Sequence, residues 1–293
     1  MIIVRLIGGV GNQLFQYSAG MSLAHFHQVQ LKLDITGFDN YRLHDYCLDN
    51  FKITAKIATN EDLRCYVNNY SLFEKFRLFG RITKPFLTKK NYLKEKSFTF
   101  DPNFFSFPSS SYLEGYWQSE KYFLPIEGVL RKEFVLKTPI AKENSNFLSS
   151  IRSSNSVAVH VRRGDYFSNA ATKKIHGVLP INYYTEAVNY LNSAKKNLIF
   201  YIFSDDIEWC EKNLSLNANV VYVKTSKING NFSDDFRLMS LCKHNIIANS
   251  TFSWWAAWLN SNSDKIIVAP KLWFRSKERS SRDIIPSNWV ILG

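Results

Sequence analysis

The sequence predicts an α/β protein of two Rossmann-type domains, and three observations carry the prediction. The chain opens with a strand, a glycine loop, a helix and a second strand in quick succession. Its second half alternates strands and helices at the spacing of a parallel sheet. Its most unusual polar residues fall directly after strands, the edge at which open α/β sheets bind ligands. At 293 residues the chain is long enough for two domains, which we place at 1–145 and 146–293.

The first strand, Ile2 to Ile7, ends in Gly8-Gly-Val-Gly-Asn-Gln13. A helix follows over 13–27, with Leu14, Tyr17, Met21 and Ala24 on one face, and Leu31–Asp34 reads as the next strand. The stretch 36–110 is rich in Phe, Tyr and Lys, as in Phe73–Phe79 and Phe104–Phe107, and reads as short helices and loops. Tyr112–Gln118 is a further strand with an aromatic exit. Phe123–Phe134 is a helix near the domain junction, and Leu136–Glu143 leads into the second domain. There, strands are expected at Val157–Val161, Leu198–Phe203, Val220–Val223, Asn245–Ala248 and Lys265–Ala269. Helices fit between them at Asn182–Lys195, Asp206–Leu214, Asp234–Lys243 and Phe252–Asn260.

Three polar clusters follow these strands: Arg162-Arg-Gly-Asp165, Ser204-Asp-Asp206 and Asn249-Ser-Thr251. In a doubly wound sheet all three open on one edge. Arginine offers a planar, permanently charged fork that grips phosphate oxygens in pairs. The arginine cluster therefore reads as a pyrophosphate grip, although Arg-Gly-Asp alone is equally an exposed, internally paired turn. Ser250 or Thr251 can cap the helix that follows, and the N–H groups of its first turn favour a phosphate. Trp254, Trp255 and Trp258 stand at helical spacing and read as core.

The glycine loop has two readings. Gly9-x-Gly11 opening a helix, with Asp34 ending the next strand, imitates a dinucleotide fingerprint. The third glycine position, however, holds Leu14, and Asn12 and Gln13 put amides where small residues would let a cofactor approach. A plain strand-to-helix turn explains the segment as well.

Bulk properties narrow the class. Hydrophobic residues make up 45% and charged residues 21%, a globular composition. The net charge of +12 suits nucleotide-sugars, anionic lipid or nucleic acid without choosing among them. Cys47, Cys65, Cys210 and Cys242 form no Cys-x-x-Cys pair and read as reduced thiols. His25 and His27 face apart on a helix and read as structural rather than metal-ligating. No run approaches the ~20 apolar residues of a membrane helix, and no signal peptide is recognisable at the start. A cytoplasmic protein is expected, with peripheral contact at the inner membrane face through basic residues left open.

Four ordered segments then combine: Gly8–Tyr17 (GGVGNQLFQY), His160–Tyr166 (HVRRGDY), Phe203–Asp206 (FSDD) and Ile246–Trp258 (IIANSTFSWWAAW). Together they resemble the bacterial alpha-1,2-fucosyltransferases of glycosyltransferase family 11, in the family's order and over nearly the whole chain. Departures are small: Val10 stands where Leu or Met is more usual, and Ser18 where Ala is common. The resemblance implies a GT-B-like architecture, with an acceptor-side N-terminal domain facing a GDP-fucose-binding C-terminal domain across a cleft. It implies inverting transfer of L-fucose from GDP-L-fucose to the 2-hydroxyl of a terminal β-galactoside, in surface polysaccharide or O-antigen synthesis, without a required metal or other cofactor. The acceptor could be a lipid-linked oligosaccharide. Nucleic acid is not expected as a partner.

The chemistry fits these residues. Cations preorganised where the pyrophosphate departs stabilise the transition state more than the ground state. Arg162 is favoured as the direct phosphate contact, since alternation along the chain sends one of the two arginines to the cleft and the other to structural pairing, with Asp165 as a candidate partner. The chain has no Asp-x-Asp for a divalent ion. Its adjacent pairs Asp205-Asp206 and Asp234-Asp235 suit guanine or ribose hydrogen bonding and helix capping. Expected donor contacts are Gly9, Gly11, Asn12, Gln13, His160, Arg162, Arg163, Ser204, Asp205, Asp206, Asp235, Asn249, Ser250, Thr251, Phe252 and Ser253. His160 reads equally as a core histidine. For the base, Asp165 is chosen over Glu114, neither being compelling. The rivals are an NAD(P)-linked oxidoreductase using the glycine loop, and a non-catalytic carbohydrate- or nucleic-acid-binding protein.

Overall fold

The computed structural model describes residues 1–39, 44–66, 91–164, 166, 170–225, 232–275 and 280–293. The chain divides into two compact units, Met1–Val135 and Leu136–Gly293. The division falls before the boundary expected after residue 145, and for a local reason. Ala141 N (3.1 Å) and the Asn144 side-chain amide (2.6 Å) both donate to Asp234, which ties the connecting segment to the second unit.

The first unit is a five-stranded parallel sheet. Its strands are β1 (Ile2–Arg5), β2 (Leu31–Asp34), β3 (Lys56–Ile57), β4 (Tyr92–Lys94) and β5 (Ser111–Glu114), in spatial order β3-β2-β1-β5-β4. Ile2, Ile3 and Val4 are fully buried, as a strand covered on both faces requires. Helix α1 (Val10–Phe26) starts inside the glycine loop, earlier than the sequence suggested, and is buried almost all round. Gly8 makes this start feasible: its φ is +77°, and an added Cβ would stand 2.6 Å from Asn12 Nδ2. Of the expected α1 face, Leu14, Tyr17 and Ala24 are core and Met21 is only half-buried. The 36–110 stretch contains 3₁₀ turns, the short helix α2 (Asn60–Arg64), β3 and β4. Both of these strands were missed because two or three residues leave no readable period. Phe73–Phe79 lies outside the described residues. The expected helix over 123–134 is a 3₁₀ turn at Leu124–Ile126 running into α3 (Glu127–Glu133).

The second unit holds α4 (Ser145–Ser153), β6 (Asn155–Val161), α5 (Ala170–Ile175), α6 (Ile181–Ala194), β7 (Leu198–Ser204), α7 (Ile207–Asn213) and β8 (Val220–Tyr222). These are followed by α8 (Ser233–Leu241), β9 (His244–Ile246), α9 (Thr251–Leu259), β10 (Ile267–Pro270) and β11 (Val290–Leu292). All strand pairs are parallel, in spatial order β8-β7-β6-β9-β10-β11. Numbered within the unit this is 3-2-1-4-5-6, the Rossmann order. β6 is buried from Ser156 onward because β7 and β9 flank it. Helix α6 contributes Tyr183, Tyr184, Ala187, Val188 and Leu191 to the same core as Val157, Val159, Phe200 and Ile202. The three tryptophans of α9 are buried, as expected.

Candidate functional site

In a doubly wound sheet the crevice opens where strand order reverses. In the second unit that point lies between β6 and β9, the first and fourth strands of the unit. The arginine loop leaves β6 and the Asn249 loop leaves β9, so two of the three predicted clusters flank the switch point. The third leaves β7 on the other side of β6.

The arginines are held by carboxylates. Arg162 Nη1 lies 3.0 Å from Asp205 Oδ2, with its side chain 28% exposed. Arg163 Nε lies 3.1 Å from Asp206 Oδ2 at 12% exposure, and its guanidinium covers the Trp209 ring at 3.6 Å. The Arg163 backbone N–H also donates to Asp205 Oδ1 at 2.9 Å. Arg163 is thus the more enclosed, structurally engaged arginine. Arg162 is the more open one, set 5.6 Å from the Tyr166 ring centroid. Gly164 permits this arrangement, since a Cβ there would stand 2.5 Å from Asp205 Oδ2.

Several expected donor contacts also have partners within the protein. Asp205 and Asp206 each anchor an arginine, and the Asp206 side chain remains 41% exposed. Asp206 also caps α7 by accepting from Trp209 N at 3.3 Å. Ser204 Oγ accepts from Asp206 N at 3.0 Å. Asp235, in the first turn of α8, accepts from Thr225 Oγ1 at 2.7 Å. Beneath them Cys210 is fully buried, and burial pushes its thiol up to about 11, so it stays protonated and is no nucleophile.

Asn249 is a clamp. Its Nδ2 faces the carbonyls of His176 (3.1 Å), Gly177 (3.3 Å) and Trp273 (3.3 Å), and Tyr166 donates its hydroxyl to the Asn249 carbonyl at 3.0 Å. Asn249 therefore joins the arginine loop to the head of α9. Ser250 is the N-cap residue of α9, but no side chain caps the helix. The expected cap is absent, and the first-turn N–H groups of Thr251, Phe252 and Ser253 get no side-chain partner of that kind. Ser253 Oγ turns back to the Ser250 carbonyl at 3.2 Å. His160 sits in β6 at 4% exposure, its ring 5.7 Å from that of Phe252, so these two candidates meet.

At the C-terminal edge of the first sheet, Gly9 is the N-cap residue of α1, and His44 comes within 3.4 Å of where its Cβ would be. Gly11 is buried in the first turn of α1. Gln13 is fully buried. Its Nε2 donates to the carbonyls of Gly8 (2.9 Å) and Asp45 (2.8 Å), and its Oε1 accepts from Cys47 N (2.9 Å). Gln13 thus braces the loop, with both ends of its amide bonded to backbone groups. Asn12 Oδ1 accepts from Gln118 Nε2 at 2.9 Å. Asp34 accepts from Thr36 N and Oγ1 and from the Tyr112 hydroxyl, so the carboxylate a dinucleotide ribose would need is committed elsewhere.

Asp165 lies outside the described residues. Glu114 is bound to Arg5, Lys94 and the Tyr92 hydroxyl. Although burial raises its pKa, the tyrosine hydroxyl and the two cations hold the carboxyl below its ordinary range, a poor setting for a base. Among the described residues no three His, Cys, Asp or Glu side chains gather into a metal-holding group, and no helix is long and apolar enough to cross a membrane. Trp209 and Tyr166, the aromatic supports of the two arginines, went unassigned in the sequence reading. Trp209 left a signal, three residues after a capping aspartate, but only a structure brings its ring under Arg163.

The comparisons with known proteins agree with this geometry. The model of glycosyl transferase family 11 matches residues 1–293. The chain is 39% identical over 302 residues to an alpha-1,2-colitosyltransferase of Escherichia coli, covering 99% of this chain and 98% of the relative. It is 34% identical over 315 residues to the O-antigen biosynthesis glycosyltransferase WbnK of Escherichia coli, covering 98% and 99%. Among solved structures, fucosyltransferase NodZ from Bradyrhizobium superposes with a TM-score of 0.50 at 14% identity, covering 87% of this chain and 91% of that one, a likeness of fold. The GT-B-like class expected from the motifs holds, with one Rossmann-type sheet in each unit. A matching model over the whole chain and two relatives aligned nearly end to end lead to one conclusion: the chain belongs to glycosyl transferase family 11.

Proposed function

We propose that this protein transfers L-fucose from GDP-L-fucose to the 2-hydroxyl of a terminal β-galactoside, with inversion and without a metal ion. The observation that supports this most is Arg162, at the switch point of a Rossmann-ordered sheet and oriented by Asp205. In an inverting displacement the acceptor oxygen attacks the anomeric carbon as the bond to the phosphate oxygen breaks, and negative charge grows on the departing GDP. A guanidinium fixed beforehand at that point stabilises the charge with no reorganisation at the moment of reaction. The first-turn N–H groups of α9 supply a second set of donors of the same sign. In this reading Arg162 performs the role a divalent ion performs elsewhere, Arg163 with Trp209 stiffens the loop, and Asn249 keeps the loop and the α9 terminus in register.

A second donor is specifically favoured by one comparison, the alpha-1,2-colitosyltransferase relative. Colitose is fucose without its 3-hydroxyl. A site that hydrogen-bonds that hydroxyl would reject the deoxy sugar by several orders of magnitude, whereas an apolar site would separate the two weakly. An acceptor within a surface polysaccharide or O-antigen is part of the same proposal, by analogy with WbnK.

A thermal-shift panel with GDP, GDP-fucose, GDP-colitose, UDP, ADP and NAD, with and without EDTA, tests the reading. GDP and one GDP-sugar should stabilise the wild type, EDTA should change nothing, and Arg162→Ala should weaken GDP binding about 10- to 100-fold, the loss of a charge-assisted contact. Stabilisation by NAD, or by no nucleotide, would sink it. Transfer to lactose from each GDP-sugar in turn then decides the donor.

A further inference from the structure

In the first unit, the segment that covers α1 turns an apolar face outward. It runs from Glu120 through the 3₁₀ turn at Leu124–Ile126 and α3 to Val135. Tyr122, Phe123, Ile126, Leu130 and Phe134 are buried. The rings of Phe123 and Phe134 meet Phe15 (6.0 Å) and Tyr17 (5.6 Å) of α1. The opposite side exposes Leu124, Pro125, Gly128, Val129 and Val135, with Lys121 and Lys132 among them. Steps of three and four residues place these on one helical stripe. A surface helix ordinarily turns charged and polar residues to that side. Here Leu124 is 50% exposed, Val135 44% and Val129 36%.

Gly128 shows how bare the stripe is. Nothing lies within 4 Å of where its Cβ would stand. A glycine inside a helix weakens it relative to alanine, and local packing supplies no reason for one here. The charges on the stripe are of one sign, those of Lys121 and Lys132. A third exposed lysine, Lys52, is tied to its end, its backbone N–H donating to the Val135 carbonyl at 3.0 Å. The acids of the segment lie off the stripe. Glu127 is paired with Arg131 at 2.8 Å, and Glu133 is buried and accepts from the Tyr17 and Thr54 hydroxyls. Glu120 precedes the stripe.

We propose that this stripe docks the protein on an anionic lipid surface, with Leu124 and Val129 entering the interface and the lysines meeting headgroup phosphates. The proposal is independent of which sugar the protein transfers. Exposed apolar side chains edged by lysine suit the boundary between acyl chains and anionic headgroups. The lysine stems lie along apolar surface while their ammonium groups reach the phosphates. A second copy of the chain fits less well. Two-fold pairing sets a patch against itself, so lysines would face lysines. The stripe also offers three large apolar side chains, where a stable protein interface takes about 20–30 residues on each side.

The test is co-sedimentation of the full chain with vesicles of phosphatidylcholine alone and of phosphatidylcholine with about one third phosphatidylglycerol, at low and high salt. At low salt wild type should bind the anionic vesicles about tenfold more tightly than the neutral ones, and high salt should remove most of the difference. Gly128→Leu puts a better helix former and an apolar side chain into open space. It should fold, with a urea midpoint no lower than wild type, and bind anionic vesicles about five- to tenfold more tightly. Leu124→Asp should weaken that binding about tenfold, and Lys132→Ala about fivefold. Should Leu124→Asp not fold, the gain in folded Gly128→Leu decides. Equal binding to both kinds of vesicle overturns the proposal. So does an affinity for anionic vesicles that none of the substitutions moves, which would put the contact on another basic surface. Self-association of wild type that Leu124→Asp abolishes, with no vesicle binding, overturns it in favour of a second copy.

Discussion

At the scale of single residues, the site is a set of short, partly exposed bonds that fix two guanidinium groups. Asp205 is the centre of the set, because one oxygen accepts from the Arg163 backbone while the other meets Arg162. Gly164 is the residue that leaves room for it. A methyl group at 164 would press on Asp205 Oδ2, the movable end of a side chain, so the carboxylate would turn away rather than the backbone break. Gly164→Ala should therefore fold with an unfolding midpoint close to wild type yet bind GDP about tenfold more weakly, as Arg162 loses its anchor. Calorimetric titration of GDP into both proteins checks this, and equal affinities would show that Asp205 does not set the Arg162 position. The same scale shows what Gln13 and Asn249 do within the protein itself. Both are amides just beyond strand ends, Gln13 in the first turn of α1 and Asn249 in a loop, where ligand contacts are common, and both use those amides to hold backbone carbonyls.

At the scale of elements, two helices begin at the site and begin differently. Helix α7 is capped by Asp206, which accepts from Trp209 N and also holds Arg163. Helix α9 begins at Ser250 with no side-chain cap. The contrast predicts unequal costs. Asp206→Ala should destabilise the protein by about 1–2 kcal/mol, the usual cost of a lost cap with some contribution from the partner arginine. Ser250→Ala should cost less than about 0.5 kcal/mol in the ligand-free protein, since no cap is lost. Urea unfolding of the two variants measures both, and a cost for Ser250→Ala equal to that of Asp206→Ala would mean that the serine caps in solution. An uncapped, nine-residue helix next to the arginine loop is the arrangement a phosphate would complete, so GDP should stabilise Ser250→Ala as it does wild type.

At the scale of the whole molecule, stability depends on buried ionisable groups with opposite tendencies. The Glu95 carboxyl binds its proton more tightly folded, near 7, than unfolded, near 4.5. Between those values the folded state carries more proton than the unfolded state, so stability is fully present below about 4.5 and is lost as pH rises through about 7. His244 runs the other way. Burial, reinforced by Lys195, lowers its pKa below 6.5, so its contribution is lost as pH falls through that range. The two partly cancel in the wild type and separate in a difference measurement. The stability of wild type minus that of Glu95→Gln should fall by on the order of 2 kcal/mol between pH 5 and pH 8. Urea unfolding at both pH values checks it; a difference independent of pH would mean that Glu95 titrates as an ordinary surface carboxylate.

The sequence by itself determined the class, two Rossmann-type sheets, because long apolar strands and periodic helices such as Val157–Val161 and α6 carry their pattern locally. It also determined which loops matter, since HVRRGDY, FSDD and ANSTFS are contiguous and stand after strands. Strand order was decided only by the tertiary structure, and with it the switch point between β6 and β9, because pairing partners lie scores of residues apart. The division of labour among polar residues was decided there too. Whether Asp205, Gln13 or Asn249 faces a ligand or a neighbouring carbonyl depends on which groups the fold brings within 3 Å or so, and no local pattern encodes that. Glu95 is the clearest case: in the sequence it is one charge between two lysines, and only the approach of Gly115, Tyr116 and Trp117 across the sheet buries it, gives it two backbone N–H donors and pushes its carboxyl up to about 7.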